Sequence, residues 1–209
     1  MKKDRKNIIL ESLAAMLEEK NMSKITTASL AEKSNITEAA LYRHFPSKRS
    51  IYAELFSFCD DTIFAKCNEL KKEKISAQEK VKKIFIFFIL FIEKNKGFAR
   101  LLSREALSSA EQNVSDSVNQ FYERFELVLR QMLKEDEKNL TTQAGISAQL
   151  IITVLEGNIG RYIRSKFKDS PSTYIENISF VRVNKNTGEI DKESLENTYF
   201  ELFLDENIN

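Results

Sequence analysis

The segment from Thr26 to Lys48, TTASLAEKSNITEAALYRHFPSK, constrains the fold of this chain more than any other stretch. Thr26 or Thr27 can cap its first helix, because a hydroxyl there accepts a hydrogen bond from a backbone N–H that lacks a partner inside the helix. Thr37 can cap a second helix, which Pro46 ends. Two helices of about two turns each, joined by a turn of about three to four residues, predict a helix–turn–helix whose second helix enters the major groove of DNA.

The second helix of this pair carries more polar side chains than a buried helix would. Hydroxyl, guanidinium and imidazole groups on a helix in the groove can donate hydrogen bonds to phosphate oxygens. Such groups stand at Thr37, Tyr42, Arg43 and His44. An ordinary helical hairpin inside a bundle is the alternative, and this polar set favours DNA binding over it.

The distribution of charge agrees with a DNA-binding head. The whole chain has a formal net charge of +1, so no overall field draws it toward nucleic acid. The first 50 residues carry ten Lys or Arg against six Asp or Glu, whereas the residues from Pro171 onward carry three against eight. A basic amino-terminal region on a nearly neutral chain suits contact with phosphates.

The composition predicts an all-α protein. Only five residues are Gly and two are Pro, while 30% are charged, a balance typical of helices. Hydrophobic periodicity predicts further helices over residues 6–20, 47–72, 77–95, 98–108, 113–135 and 142–168.

The helix predicted over residues 77–95 contains an unbroken apolar run. Residues 84–92 are all Ile, Leu or Phe and leave no polar face, so we expect this helix to be covered on all sides as the core of the body. Gly97 follows it and can take the left-handed conformation that closes many helices.

The helix predicted over residues 142–168 has apolar residues on more than one face. Ile146, Leu150 and Val154 belong to this wide stripe, and a stripe that wide needs one internal and one external partner. Gly157 and Gly160 would permit close backbone approach. We therefore expect a two-fold homodimer in which the last two long helices form a four-helix bundle.

The residues after Pro171 do not continue this pattern. Residues 178–183 alternate loosely and Asn186-Thr187-Gly188 is turn-like, which predicts a weak β-hairpin or a disordered segment. A helix over Ser194 to Leu204 is expected after it.

No feature of the sequence predicts catalysis, a cofactor or a metal site. His44 is the single histidine, and there is no glycine-rich phosphate loop or paired CxxC. Cys59 and Cys67 lie about 12 Å apart along one predicted helix, too far for a disulfide. The longest apolar run is well short of the roughly 20 residues that span a bilayer. We expect a cytoplasmic binding protein, not an enzyme or a membrane protein.

Particular motifs resemble a known family. The run from Ile25 to Lys48, with LYRHF at the end of the second helix, resembles the DNA-binding domain of TetR-type regulators. The segments EAALYRHFPSK, RLLSREAL, FYERFELVLRQMLKE and RYIRSKFKDSPSTY are more narrowly similar to the SlmA family of nucleoid occlusion factors. The resemblance implies a TetR-like fold, with a helix–turn–helix domain over residues 1–50, a helical effector and dimerisation domain over residues 51–175, and an atypical extension over residues 176–209.

For DNA, the expected partner is a double-stranded, pseudo-palindromic site. Thr26 and Thr27 stand at the start of a helix, a position that suits phosphate contact. The side chains of Tyr42, His44 and Lys48 can donate hydrogen bonds to phosphates as well. Thr37 and Ala39 face base edges, where a methyl group can meet thymine. The expected contact residues are Thr26, Thr27, Thr37, Ala39, Tyr42, His44 and Lys48; for the threonines, capping is the alternative role.

For the body, the resemblance implies a protein partner. SlmA-type proteins bind the carboxyl-terminal tail of the division GTPase FtsZ between the long linking helix and the core helix. Carried over by position, the groove residues are Phe58, Lys66, Phe87, Lys94 and Asn95, with Phe87 equally suited to the core and Asn95 to a helix cap. The implied function is inhibition of division-ring assembly at the nucleoid. A TetR-type repressor with a small-molecule pocket in the body is the alternative, although aromatic helices are more often filled core than ligand pocket.

Overall fold

The computed structural model describes residues 5–19, 25–136, 138, 143–173, 182–183 and 190–191, and these are almost entirely helical. The all-α prediction is confirmed. In chain order the elements are α1 (Arg5–Glu18), α2 (Thr27–Lys33), α3 (Glu38–His44), α4 (Lys48–Lys71), α5 (Ala77–Lys94), α6 (Lys96–Leu102), a 3-10 turn (Ser109–Glu111), α7 (Gln112–Lys134), α8 (Ala144–Arg164), β1 (Arg182–Val183) and β2 (Ile190–Asp191).

Two helices end earlier than periodicity predicts, and each stops at left-handed backbone. After α6, Arg104 has φ of 65°, and after α8, Lys166 and Phe167 have φ of 56° and 63°. A residue in this region cannot continue a right-handed helix. The hydrophobic periodicity of the sequence continues beyond these residues, and this is why the predicted helices were longer than the observed ones.

The chain divides into two compact units. The first comprises Met1–Ile63 and Lys94–Phe121, and the second comprises Phe64–Glu93 and Tyr122–Asn209. Helices α4 and α7 contribute residues to both units, and so does α5 through its last residue, Lys94. The domain boundaries predicted at residues 50 and 175 stay predictions.

The first unit contains the three amino-terminal helices around a small apolar core. Helix α1 buries Ile9, Leu13 and Leu17, which are four residues apart and therefore share one face. Leu30 of α2 and Leu41 of α3 are fully buried as well. Each such side chain contributes about 1.5–3 kcal/mol through removal from water, so packing and not helix propensity holds these short helices.

Helix α6 packs against α1 in the same unit, at a separation that only glycine permits. A Cβ atom at Gly97 would lie 2.8 Å from the carbonyl oxygen of Ala14. The expected left-handed cap at Gly97 is wrong, because this residue lies inside α6 and the constraint on it is close packing. The buried Arg100 then donates from Nη1 to the carbonyl oxygens of Leu17, at 2.6 Å, and Glu19, at 2.7 Å. These bonds satisfy carbonyls that the end of α1 leaves without helical partners.

The second unit has an aromatic core. Phe88 of α5 stacks on Phe125 of α7 with ring centroids 5.5 Å apart, and Phe64 meets the same ring edge-on at 6.3 Å. The expectation that α5 is covered on all sides is wrong, because Leu90 is 51% exposed and Phe87 is partly exposed. The helices of one chain cover only part of the circumference of α5.

The described part of the carboxyl-terminal region agrees with the hairpin alternative. Strands β1 and β2 pair antiparallel, with Arg182 opposite Asp191 and Val183 opposite Ile190. The turn predicted at residues 186–188 and the helix predicted over residues 194–204 lie outside the described residues. Across the described helices, none combines the length and the apolar character that crossing a membrane requires.

Candidate nucleic-acid and peptide interfaces

The helix–turn–helix is built by side-chain caps at the start of each helix. Thr26 is the N-cap of α2: its Oγ1 accepts from the Ser29 N–H at 3.0 Å, and its own N–H donates to Ser29 Oγ at 3.0 Å. Thr37 is the N-cap of α3 and accepts from the Ala40 N–H at 3.2 Å. Between the helices Asn35 has φ of 53°, a conformation that Asn tolerates better than most residues. The local chemistry therefore sets both helix starts and the turn.

Helix α3 presents one buried residue and several exposed ones. Leu41 is fully buried, whereas Tyr42 is 48% exposed and neighbouring polar positions are open to solvent. The predicted contact residues that are exposed are Thr26, Thr37, Ala39, Tyr42 and His44. The structure leaves these five side chains accessible to a DNA duplex, as contact would require.

Thr27 has a role that its sequence position did not reveal. Its Oγ1 donates a hydrogen bond to the carboxylate of Glu38, the first residue of α3. The hydroxyl proton is therefore used between the two helices, and the side chain is partly buried. Glu38 also lies in the first turn of α3, where an acidic side chain interacts favourably with the positive end of the helix dipole. Its bond to Thr27 crosses 11 residues and has no short-range sequence signal.

Lys48 is also engaged within the first unit. Its Nζ lies 3.3 Å from Glu111 Oε1 and 5.1 Å from the ring centroid of Tyr52. The next residue, Arg49, donates from Nε to the carbonyl oxygen of Ala110 at 3.1 Å. The 3-10 turn after α6 thus fixes the start of α4, which follows α3. A phosphate contact by the Lys48 ammonium would have to be shared with Glu111.

Glu111 is the residue that sequence reasoning missed at this site. Burial raises the pKa of its carboxyl group, but hydrogen bonds from the Ser108 hydroxyl and backbone N–H, together with the charge of Lys48, outweigh this and lower the pKa below its ordinary value. The same contacts to Ser108 form a capping box. The S-x-x-E pattern of residues 108–111 was the available signal.

Two of the expected peptide-binding residues come together in the first unit. The Phe58 side chain is 58% exposed on α4 and stacks on Phe98, with ring centroids 6.0 Å apart. Phe58 and Asn95 both line a cavity of about 360 Å³. Lys94, which precedes Asn95, is exposed. Asn95 is the N-cap position of α6, but its side chain makes no capping hydrogen bond there.

Two more of these residues come together in the second unit. The Nζ atom of Lys66 lies 5.9 Å from the ring centroid of Phe87 and 2.6 Å from Glu69 Oε1. Phe87 is partly exposed and stacks on Phe91 at 6.3 Å, so it is not a fully buried core residue. The ion pair with Glu69 is at the surface, where such pairs contribute little. Four of the five expected residues thus form two pairs, Phe58 with Asn95 and Lys66 with Phe87, and Lys94 lies next to Asn95 in the chain.

The two cysteine thiols are not in an environment that favours nucleophilic chemistry. Cys59 and Cys67 are buried free thiols; burial raises both pKa values, that of Cys67 to about 12. At neutral pH neither forms the thiolate that nucleophilic chemistry requires. Among the described residues no three His, Cys, Asp or Glu side chains are grouped to hold a metal ion.

The fold has well-matched relatives among solved structures. The fatty acid degradation regulator FadR from Bacillus halodurans is similar with a TM-score of 0.68 over 83% of this chain and 91% of that one, at 14% identity. A TetR transcription regulator from Haloarcula marismortui is similar with a TM-score of 0.65 over 81% of this chain and 94% of that one, at 15% identity. The capped helix–turn–helix thus lies within a helical fold that this chain shares with these two regulators.

Sequence comparison narrows the class. Residues 9–55 match the family model for bacterial regulatory proteins of the tetR family, and residues 76–185 match the SlmA-like tetracyclin repressor-like C-terminal domain. The nucleoid occlusion factor SlmA of Vibrio vulnificus is 35% identical over 180 residues, 84% of this chain and 92% of that one. That of Colwellia psychrerythraea is 36% identical over 190 residues, 88% of this chain and 96% of that one.

The chain belongs to the TetR family and, within it, to the SlmA-like group. The resemblance inferred from the sequence motifs is confirmed. Proteins of this family are DNA-binding regulators and not enzymes, so the expectation of no catalysis is confirmed on the ground of family membership.

Proposed function

We propose that this protein is a nucleoid occlusion factor that binds specific DNA sites and inhibits FtsZ assembly over the nucleoid. The observation that carries the proposal is the SlmA-like match over residues 76–185, because this match lies in the effector region and not only in the DNA-binding head. Relatives named as nucleoid occlusion factors align over more than four-fifths of the chain, which supports the same role.

DNA contact in this proposal uses the exposed surface of α2 and α3. Tyr42 and His44 donate to phosphates, and the start of α2 at Thr26 faces a phosphate as well, although the Thr26 hydroxyl donates to Ser29 Oγ at 3.1 Å. Thr37 and Ala39 face the bases. The recognition helix begins without Arg, Asn or Gln, the residues that make bidentate contacts to purines. Specificity therefore depends on backbone contacts and on the shape of the DNA as well as on direct readout.

Dimerisation in this proposal uses α7 and α8. Along α8, Ile146 and Leu150 are exposed, Val154 is partly exposed, and Gly157 has open space where a Cβ would stand. These positions recur every three to four residues and define one face. Leu127 of α7 is exposed as well. Because one chain leaves this apolar helix face exposed, the face supports a homodimer in which a second copy covers it. A two-fold dimer carries two identical DNA-binding heads, which match the two halves of a pseudo-palindromic site.

The FtsZ tail in this proposal contacts Phe58, Lys66, Phe87, Lys94 and Asn95. The exposure of Phe58 and the partial exposure of Phe87 support a role in binding, because both rings offer apolar surface to a partner. Lys66 and Lys94 supply positive charge without the planar fork of Arg, so they attract carboxylates but do not fix bidentate geometry. The tightly stacked Phe88 and Phe125 support a filled core over a ligand pocket in that part of the second unit.

Two measurements test the proposal. The first is the affinity of the protein for a fluorescent FtsZ tail peptide, and the second is its affinity for chromosomal fragments that genome-wide mapping recovers. Lys94→Glu should weaken peptide binding about tenfold or more and leave DNA affinity unchanged, by reversing one charge. Lys82→Glu is the matched control, since Lys82 is exposed on the same helix, α5, but is not among the expected peptide-binding residues. Two results together would favour the ligand-responsive repressor: wild-type protein binds no tail peptide, and the mapped DNA sites reduce to one neighbouring promoter.

A further inference from the structure

The two cations at the start of α4 are both held by the 3-10 turn that follows α6. Lys48 Nζ lies 3.3 Å from Glu111 Oε1, and the Lys48 side chain is 25% exposed. The next residue, Arg49, donates from Nε to the carbonyl oxygen of Ala110 at 3.1 Å. Adjacent residues of α4 thus contact adjacent residues of the turn, and the second bond fixes the distance at which Glu111 faces Lys48.

The carboxylate of Glu111 is a fixed negative charge. Its side chain is 2% exposed. Oε2 accepts from the Ser108 N–H at 3.0 Å and from the Ser108 hydroxyl, while Oε1 faces Lys48. Burial raises the pKa of this carboxyl group, but the bonds from Ser108 and the charge of Lys48 lower it below its ordinary value, so the group is ionised at neutral pH. Salt screens such a buried charge much less than it screens an exposed one.

We infer that Glu111 lowers the sequence-independent part of the DNA affinity by neutralising Lys48. The inference rests on the DNA-binding part of the proposed function and names a residue outside the helix–turn–helix that limits it. Glu111 does not contact DNA in this inference. It acts through Lys48 and is therefore a positioning residue.

The sign of the effect follows from the charges around the Lys48 ammonium group. A lysine that binds a phosphate strengthens DNA binding because its positive charge displaces a counterion from the duplex. The ammonium of Lys48 already faces a carboxylate at 3.3 Å, and the ring of the buried Tyr52 covers another side, with its centroid 5.1 Å from Nζ. A phosphate that bound the same ammonium group would also be repelled by Glu111. Lys48 therefore adds less to DNA binding than an unpaired lysine would.

The experiment measures DNA affinity by fluorescence anisotropy, on a mapped site and on an unrelated duplex, across a range of salt concentrations. Glu111→Gln keeps a carbonyl oxygen for the bonds from Ser108 and presents its amide N–H groups to Lys48, which releases the ammonium. One additional phosphate contact should steepen the line of log K against log salt by about 0.9 and raise the affinity about eightfold at about 0.1 M salt. Both duplexes should show the same rise, because a phosphate contact reads no sequence. Partial unfolding of the variant would lower the apparent affinity and cannot imitate this result.

Two further variants test whether Lys48 carries the effect. Glu105→Gln is the matched control, because it removes the same charge from an exposed residue between α6 and the turn and should change the affinity less than about twofold. The double variant Lys48→Met with Glu111→Gln removes the cation together with the carboxylate, so it leaves no buried charge without a partner. Its affinity and salt dependence should not exceed those of wild type.

The outcomes separate this inference from the proposed function. A rise in Glu111→Gln with a steeper salt dependence, absent from the double variant, supports it. Unchanged or lower affinity in Glu111→Gln, with normal DNA binding by wild type, overturns the inference and leaves the proposed function standing. An equal rise in Glu105→Gln, a rise that persists in the double variant, or a rise confined to the mapped site also overturns it. Wild-type protein that binds neither duplex overturns both.

Discussion

The hydroxyl of Thr27 in the first turn of α2 donates a hydrogen bond to the carboxylate of Glu38 in the first turn of α3. The two helices of the motif are therefore joined by a polar bond at their starts as well as by the buried Leu30 and Leu41. A hydrogen bond to a charged group is stronger than a neutral one, and this one constrains the direction of the Glu38 side chain beside the exposed surface of α3.

Thr27→Val should lower the affinity for specific sites about three- to tenfold, because the substitution removes the donor and frees Glu38 to move. Thr27→Ser keeps the hydroxyl and should bind as wild type does. Fluorescence anisotropy with a mapped site and with an unrelated fragment separates specific from nonspecific binding. Equal affinity of the Val and Ser variants would show that the bond does not position the recognition helix.

Tyr42→Phe should weaken DNA binding about tenfold without changing its dependence on salt. The phenolic hydroxyl is a neutral donor, so its loss removes a bond to phosphate but alters no counterion release. Titrations at several salt concentrations give parallel lines of log K against log salt for the two proteins. A shallower line for the variant, or no loss of affinity, contradicts the assigned contact.

Glu111→Gln should destabilise the protein by about 1–3 kcal/mol at neutral pH, since it removes the charged partner of Lys48. The side chain of Glu111 is only 2% exposed, so solvent does not compensate. Because the folded state lowers the pKa of this carboxyl group, its stabilisation is present above the ordinary value of about 4.3 and is lost as the pH falls through the folded value.

Urea unfolding of wild type and Glu111→Gln across pH 3 to about 8 checks this linkage. The difference in unfolding free energy should be largest at neutral pH and shrink below pH of about 4. A difference that does not change with pH would mean that packing, and not the charge of Glu111, accounts for the loss.

Gly97→Ala should lower the unfolding free energy by about 1–3 kcal/mol, because the added methyl group would meet the Ala14 carbonyl oxygen at 2.8 Å. Gly145→Ala is the matched control, since its methyl group would meet only Arg130 Cδ at an ordinary 3.6 Å and Ala favours a helix over Gly. Thermal unfolding compares the two. A stable Gly97→Ala protein would show that α1 and α6 can separate at little cost.

Much of the fold was predictable because its signals are local. The caps at Thr26 and Thr37, the turn at Asn35 and the stop before Pro46 each depend on chemistry within a few residues. The exposure of Tyr42 also follows from the position of the buried Leu41, because successive residues of a helix point in different directions.

The missed features join distant residues. Three of them connect residues more than 40 positions apart: the cavity lining shared by α1 and α4, the Arg100 bonds to the end of α1, and the pair of Lys48 with Glu111. No pattern in the intervening sequence specifies such distances. The open face at Leu90 was missed for the same reason, because coverage of a helix depends on which other helices surround it.

By itself the sequence determined which segments are helical, where the helix–turn–helix begins and ends, and to which family the chain belongs. The tertiary structure alone decided why position 97 must be glycine, which carboxylate holds Lys48 and where a cavity opens beside Phe58. Helix starts and turns are set by bonds between near neighbours, whereas cavities, ion pairs and close approaches exist only after packing has brought remote segments together.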